Sequence, residues 1–360
     1  MAWIQENVPL APFTTLGIGG PARYLAEVSE ETQVLDALAL AHSRGLPVFV
    51  LGGGSNILVA DEGFPGLVLR IGLRGIRPED GDRTGIATVG AGEDWDAFVL
   101  WCVQRNWAGV ECLSGIPGTA GGTPIQNVGA YGEEASEVVF TVRAFDRSLQ
   151  AFVELSNAAC GFSYRSSVFN TSQRDRYIVL SVTYSLRVGG EPRIRYPDLQ
   201  RHFTGKPETP SLGEVRETVR AIRASKAMLL VPGDPDCRSA GSFFKNPVVK
   251  EEESLRIEEA ARSQKCMRED EILPRFRAPA GKVKVPAAWL IERAGFRKGY
   301  ARGRAGISTK HTLALVNRGG ATAREVLELM GEIQQRVYEV FGIKLTPEPV
   351  LVGFPSDSHA

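Results

Sequence analysis

Two glycine-rich segments bring together the residue types in this chain that could do chemistry. Gly52-Gly53-Gly54-Ser55-Asn56 closes an apolar strand and runs into Ile57-Leu58-Val59. Three consecutive glycines let backbone N–H groups turn toward an anion and let a diphosphate approach without interference from Cβ atoms. The competing reading is a tight connection between two strands. The second segment reads Ile116-Pro-Gly-Thr-Ala-Gly-Gly-Thr-Pro-Ile-Gln-Asn-Val-Gly-Ala-Tyr-Gly132. Its glycines alternate with Thr119, Gln126 and Asn127, which can bond the polar edge of a flavin or its phosphates. That much glycine costs backbone entropy, which is easier to explain if a ligand lies against the segment. The familiar nucleotide motifs are not met. No Gly-x-x-x-x-Gly-Lys-Ser/Thr occurs. Gly17-Ile-Gly19-Gly-Pro-Ala22 fits a dinucleotide fingerprint on paper, but it follows Pro12-Phe-Thr-Thr rather than a strand, and Pro21 stands where a helix should begin.

The elements that must position these segments belong to an ordinary globular chain. It has 360 residues, 43% hydrophobic and 23% charged, long enough for more than one domain without disulfides or a structural metal. Lys+Arg and Asp+Glu balance at 42 each, which argues against a nucleic-acid coat or a polybasic membrane binder. Met1 to Gly17 lacks the basic start and apolar core of a signal peptide. The longest uncharged run, Leu46 to Ala60, is broken by glycines and is too short to span a bilayer. The five cysteines form no Cys-x-x-Cys pair, so neither a disulfide framework nor a metal site is expected, and reduced thiols suit a cytoplasmic protein.

Along the chain, the spacing of Val34, Leu38 and Ala41 predicts a helix over Glu30 to Arg44 that Gly45 ends. Strands are expected at Pro47–Leu51, Leu67–Ile71, Ile86–Val89, Val138–Phe145 and Tyr177–Leu186, with a helix near Asp94–Arg105. Mixed β-α-β units beside longer antiparallel stretches predict an α+β fold rather than one doubly wound sheet. Val188 to Pro210 reads as a connection. Ser211-Leu-Gly-Glu214 and Thr322-Ala-Arg-Glu325 are capping-box patterns that open two further amphipathic helices, the second closed by Gly342. Thr312–Val316 reads as a strand.

Five motifs in order make the chain resemble the UDP-N-acetylenolpyruvoylglucosamine reductases, flavoenzymes of peptidoglycan precursor synthesis. They are Phe13-Thr-Thr-Leu-Gly-Ile-Gly-Gly20, Leu51-Gly-Gly-Gly-Ser-Asn-Ile-Leu58, Ile116-Pro-Gly-Thr-Ala-Gly-Gly122 with Gln126-Asn-Val-Gly-Ala-Tyr-Gly132, Phe162-Ser-Tyr-Arg165, and Ala240-Gly-Ser-Phe-Phe-Lys-Asn-Pro247. The resemblance covers roughly Asn7 to Gly353. It implies an FAD-binding domain of the vanillyl-alcohol-oxidase type over 14–189, in two lobes of about 14–70 and 71–189, and a smaller substrate-binding α+β domain over 211–355. FAD would be bound non-covalently by Gly52, Gly53, Gly54, Ser55, Asn56, Pro117, Gly118, Thr119, Gly121, Gly122, Gln126, Asn127 and Gly129.

In this family NADPH reduces the flavin, and the flavin passes hydride to the enolpyruvyl methylene carbon of a UDP-sugar. Negative charge then develops beside the substrate carboxylate and calls for cations and donors aimed at it. The resemblance implies Arg165 as the electrostatic stabiliser, Glu348 as a protonated donor with a raised pKa, and Ser242 as the general acid. By the same match Tyr164, Lys226 and Asn246 contact substrate, with Lys226 a point charge for the diphosphate. Tyr196 in Arg195-Tyr-Pro-Asp-Leu199 marks the subgroup whose tyrosine loop closes over substrate. Lys310-His311 matches a family pair, the histidine read as structural. The expected partners are the UDP-sugar and NADPH alone, with no metal, nucleic acid or membrane, and a monomer in the cytoplasm.

Departures from the family pattern fall near these groups. Thr346 and Pro349 flank Pro347-Glu348 where a glutamate and a valine are usual, which puts the aim of Glu348 in question. Arg304 and Thr309 stand where a glycine and an acid are common, and Asp234-Pro-Asp-Cys-Arg238 lengthens the approach to Ser242. The alternative reading is a sugar or alcohol oxidase on the same flavin scaffold. Such oxidases often attach flavin through a histidine or cysteine, and the Gly52–Asn56 turn has neither. A catalytically silent flavin or nucleotide-sugar binder would have no use for Arg165, Ser242 and Glu348 together.

Overall fold

The computed structural model describes residues 3–81, 83–205, 208–268 and 270–355. Contacts divide the chain into two compact units. One comprises 1–8, 22–54 and 65–229, the other 9–21, 55–64 and 230–360. The division falls at Leu229, beyond the helix that the Ser211 box opens.

The first unit holds two main sheets and two short strand pairs. Val48–Leu51, at one edge of a four-stranded sheet, runs parallel to Phe64–Ile71, and the sheet continues through Pro21–Val28 to Ile4–Pro9 at the other edge. Helix α1, Glu31–Ser43, begins in a reciprocal cap between Glu30 and Gln33 and buries Val34, Ala37 and Ala41 at helical spacing. The second sheet is antiparallel, ordered Ala151–Ser156, Val139–Asp146, Tyr177–Ser185, Ile86–Gly90 and Ile76–Pro78. Helix α2, Trp95–Gln104, is capped by Asp94, whose carboxylate accepts from the Ala97 N–H, and buries Trp95, Phe98, Val99 and Cys102. The strands and helices expected here form within a residue or three of their predicted bounds.

The connection expected over 188–210 is more structured than its composition suggests. Pro197–Phe203 forms helix α3, with Pro197 at its first position. Leu199 and Phe203 pack with Val215 and Val219 of helix α4, Leu212–Ser225. Seven residues carry too little periodicity to stand out among the surrounding arginines. Pro21 starts a strand rather than a helix, so the Gly17–Ala22 sequence is not a dinucleotide fingerprint.

In the second unit, Ser239–Ser242, Ala314–Asn317, Ala305–Ile307 and Ala301–Arg302 form an antiparallel sheet, and Val350–Val352 pairs in parallel with Ile57–Val59. Three helices pack here: α5, Glu251–Ser263; α6, Ala287–Arg293; and α7, Ala323–Phe341. The Thr322/Glu325 box caps α7, Val326, Leu329, Ile333 and Val337 form its buried stripe, and Gly342 closes it at φ +69°. Leu16 and Ile18 are buried in this core, which is why 9–21 packs with it.

Candidate active site

The two glycine segments meet in the first unit. A Cβ built on Gly53 would lie 2.5 Å from Gly118 Cα, and one on Gly52 would lie 3.0 Å from Thr119 Oγ1. Gly54 sits at φ +62° and Gly118 at φ +128°, a backbone region that side chains rarely adopt. Gly121 is as tight, its Cβ position 2.5 Å from Ala91 Cβ. Two backbones thus approach as closely as backbone can, which suits a cradle for a diphosphate-bearing cofactor and excludes larger residues.

Buried and half-buried side chains pin the second segment from behind. The Tyr184 hydroxyl donates to Ala120 O at 3.1 Å and meets Thr123 Oγ1 at 2.8 Å. Gly115 N–H donates to Asp96 Oδ1 at 2.6 Å, and Arg216 and Arg220 of α4 grip the same carboxylate. Burial works to raise the Asp96 pKa, but Arg216, the Gly115 N–H and Arg220 outweigh it and hold the carboxyl below the usual range. Arg223, only 9% exposed, donates to Gly115 O at 3.1 Å and to Met228 O at 2.5 Å, and stands beside the Tyr131 hydroxyl. It therefore ties both ends of the glycine segment to the end of α4. Sequence reasoning missed Asp96, Tyr184 and Arg223 in this role. The last was in view, three positions before Lys226 in Arg223-Ala-Ser-Lys226.

Next to this segment, Glu111 and Glu133 are buried with one oxygen each, Oε1, lacking a hydrogen-bond partner among the described residues. Their other oxygens accept from Gly109 N–H at 2.6 Å and Cys112 N–H at 3.0 Å. Burial, then the neighbouring Glu111, pushes Glu133 up to about 8, so Glu133 keeps its proton at neutral pH.

Tyr164 and Arg165 form the tip of a turn closed by reciprocal backbone bonds between Ser163 and Ser166. Arg165 adopts φ +53°, a strained conformation for an arginine. Its Nη2 donates to Gly129 O at 2.7 Å, and its guanidinium lies 5.5 Å from the Tyr164 ring. The Asn127 amide donates to Ser163 O at 3.1 Å and to Glu134 at 2.8 Å, and accepts from Ser136 N–H. Asn127 thus locks the glycine segment to the arginine turn. Lys226 is the C-cap of α4 and pairs with Asp198 of α3 at 2.8 Å, while the Tyr196 ring meets Tyr131 edge-on at 5.2 Å.

Ser242, Asn246 and Glu348 lie in the second unit. Ser242 ends its strand after Gly241 at φ +73°. Lys245 N–H donates to Thr346 O and Glu348 N–H to Phe243 O, both at 2.9 Å, so the Glu348 segment pairs antiparallel with the residues after Ser242. Asn56 Nδ2 donates to Glu348 O at 3.2 Å and Val350 N–H to Asn56 O at 3.0 Å. This ladder uses the N–H groups of 348 and 350 and skips 349, so Pro349, which has none, fits without loss. Asn246 Oδ1 accepts from Ala287 N–H at the start of α6. Asp236 accepts from both the backbone and the hydroxyl of Thr309, and Lys310 pairs with Asp234. The lengthened approach to Ser242 thus supplies an acid to the stretch where Thr309 departs from the family. His311 Nδ1 accepts from Leu313 N–H at 3.3 Å.

A glycine cradle on an α+β scaffold, with an arginine turn beside it, defines an FAD-binding flavoprotein, and the family described as FAD binding domain matches residues 22–148. The family described as UDP-N-acetylenolpyruvoylglucosamine reductase, C-terminal domain, matches 234–352. A UDP-N-acetylenolpyruvoylglucosamine reductase of Thermobifida fusca is 46% identical, covering 97% of this chain and 98% of that protein. One of Paraburkholderia xenovorans is 41% identical over 95% and 96%. The crystal structure of the reductase of Thermus caldophilus superposes with a TM-score of 0.63 at 27% identity, covering 96% of this chain and 97% of that one. The chain belongs to the UDP-N-acetylenolpyruvoylglucosamine reductase family, a family of FAD-dependent oxidoreductases. Among the described residues no helix is long and apolar enough to cross a membrane.

Proposed function

We propose that the chain catalyses the NADPH-dependent reduction of UDP-N-acetylglucosamine enolpyruvate to UDP-N-acetylmuramate, with 14–189 carrying FAD and 211–355 serving substrate. Gly52, Gly53, Gly54, Ser55 and Asn56, with Pro117, Gly118, Thr119, Gly121, Gly122, Gln126 and Gly129, would hold the cofactor, and Asn127 would keep their segment in shape. Bound FAD would supply hydride, taken from NADPH, to the enolpyruvyl methylene carbon. Arg165 then holds the charge that gathers at the substrate carboxylate. Glu348 donates a hydrogen bond to the same charge, which requires its protonated form. Ser242 delivers the proton to the carbon next to the carboxylate, a task open to a hydroxyl because that carbon is strongly basic. Tyr164, Tyr196, Lys226 and Asn246 contact the UDP-sugar, Lys226 at the diphosphate and Asn246 from its place at the start of α6. The working state is a monomer in the cytoplasm, the latter in keeping with five cysteines outside any disulfide.

The observation that supports the assignment of the acid is the backbone bond between Glu348 and Phe243, which ties the main chain of Glu348 to the residue next to Ser242. The test is anaerobic. Protein reduced with NADPH is mixed with the enolpyruvyl substrate, and flavin absorbance is followed. Prompt return of the oxidised spectrum is expected, slowed by about a thousandfold in Ser242→Ala. A flavin that stays bleached until air is admitted would overturn the assignment in favour of an oxidase.

A further inference from the structure

Lys226 already holds an anion, and that anion belongs to the protein. Its ammonium donates to Asp198 Oδ2 at 2.8 Å. Asp198 is the second residue of α3, and Tyr196 is the residue that caps it. One carboxylate thus links the end of α4 to the short helix that carries the tyrosine. The contact is reinforced by the edge-on packing of Tyr196 on Tyr131 and by Leu199 and Phe203 beneath. On the α4 side, the bonds of Arg223 to Gly115 O and Met228 O hold the turn on which Lys226 sits. Desolvation works against the Lys226 ammonium and the Asp198 carboxylate outweighs it, leaving its pKa above the usual value.

We propose that Asp198 is an internal stand-in for the ligand's diphosphate: it occupies Lys226 in the ligand-free protein, holds the Tyr196 helix down, and must be displaced when a nucleoside diphosphate arrives. The inference rests on the assignment of Lys226 to the UDP moiety. A diphosphate in contact with Lys226 brings two negative charges beside a carboxylate already 2.8 Å from the same nitrogen, and like charges at that range repel. Asp198 has a second partner in Arg201, one turn along α3, so it can leave Lys226 without losing all pairing. Its departure frees Tyr196 from its seat on Tyr131. The same carboxylate disfavours every anion at Lys226, so it tunes affinity as well as loop position.

The test uses the full-length flavoprotein and UDP as probe. In Asp198→Asn, amide hydrogen exchange over 195–204 should quicken without ligand, and UDP should bind about two- to fivefold tighter by calorimetry, the range expected for a partly exposed ion pair. Lys226→Gln should weaken UDP binding and abolish the gain when combined with Asp198→Asn. If Asp198→Asn binds UDP no tighter while Lys226→Gln still weakens it, the stand-in idea is overturned and the substrate assignment survives. If Lys226→Gln leaves UDP affinity unchanged, the assignment of Lys226 is wrong and the competition falls with it. Exchange over 195–204 unchanged in Asp198→Asn would overturn the claim that this carboxylate holds the helix.

Discussion

The glycine segment at 116–132 and the ladder at 242–246 and 345–350 are both irregular stretches near proposed chemistry, yet the balance of bonds that holds them differs. To main-chain bonds such as Gly121 N–H to Ala91 O the first adds a grip of polar side chains: Arg223 on Gly115 O, Asp96 on Gly115 N–H, Tyr184 on Ala120 O. The second is held chiefly by main-chain bonds, Lys245 to Thr346 and Glu348 to Phe243, with the Asn56 amide on Glu348 O. A segment gripped by side chains depends on residue identity, because a lost charge or hydroxyl leaves a buried group without its partner. A segment held by its backbone tolerates replacement wherever the N–H in question is not used. This is why Thr346 and Pro349 can depart from the family pattern while Glu348 keeps its place beside Phe243.

The largest effect that would break this contrast is expected at Arg223. Arg223→Met leaves the buried Gly115 carbonyl and the part-buried Met228 carbonyl without their donor and should cost about 3 kcal/mol in a urea titration, with loss of bound flavin. A loss under about 1 kcal/mol would mean the segment holds itself.

Next is the Glu111–Glu133 pair. Glu133 stands at about 8 in the folded protein against 4.5 for an ordinary glutamate. The folded state therefore binds a proton that the unfolded chain has released between those values. Stability from this site is full below 4.5 and is lost as pH rises through 8. Thermal melts from pH 5 to 9 should show that decline, and Glu133→Gln should flatten it. An unchanged slope in the variant would assign the decline elsewhere.

The smallest effect is expected on the ladder. Pro349→Ala should alter stability by under about 0.5 kcal/mol and leave turnover near that of the parent, since position 349 contributes no ladder bond. A large loss in kcat would show that proline's fixed φ, rather than the ladder, aims Glu348.

Much of this was legible in the residues. The capping boxes at Ser211 and Thr322 start helices where expected, and the apolar spacing of α1 and α7 faces their cores. Helix α3 was not legible, because its stability comes from Leu199 and Phe203 meeting Val215 and Val219, partners that are distant in sequence. Asn127 read as a polar group open to a flavin, whereas its amide is bonded to Glu134, Ser163 and Ser136.

Local order alone determined the capped and strongly periodic elements, the two glycine clusters and the family, since caps, periodicity and motif spacing are properties of neighbours along the chain. Which polar groups are engaged was decided only by tertiary structure. Arg223 on both ends of a glycine segment, Asp198 on Lys226, Asn56 on Glu348 and the shared environment of Glu111 and Glu133 are each a pairing in three dimensions. The physical reason is desolvation. A charge or amide has no fixed role until folding removes its water and leaves it one particular partner.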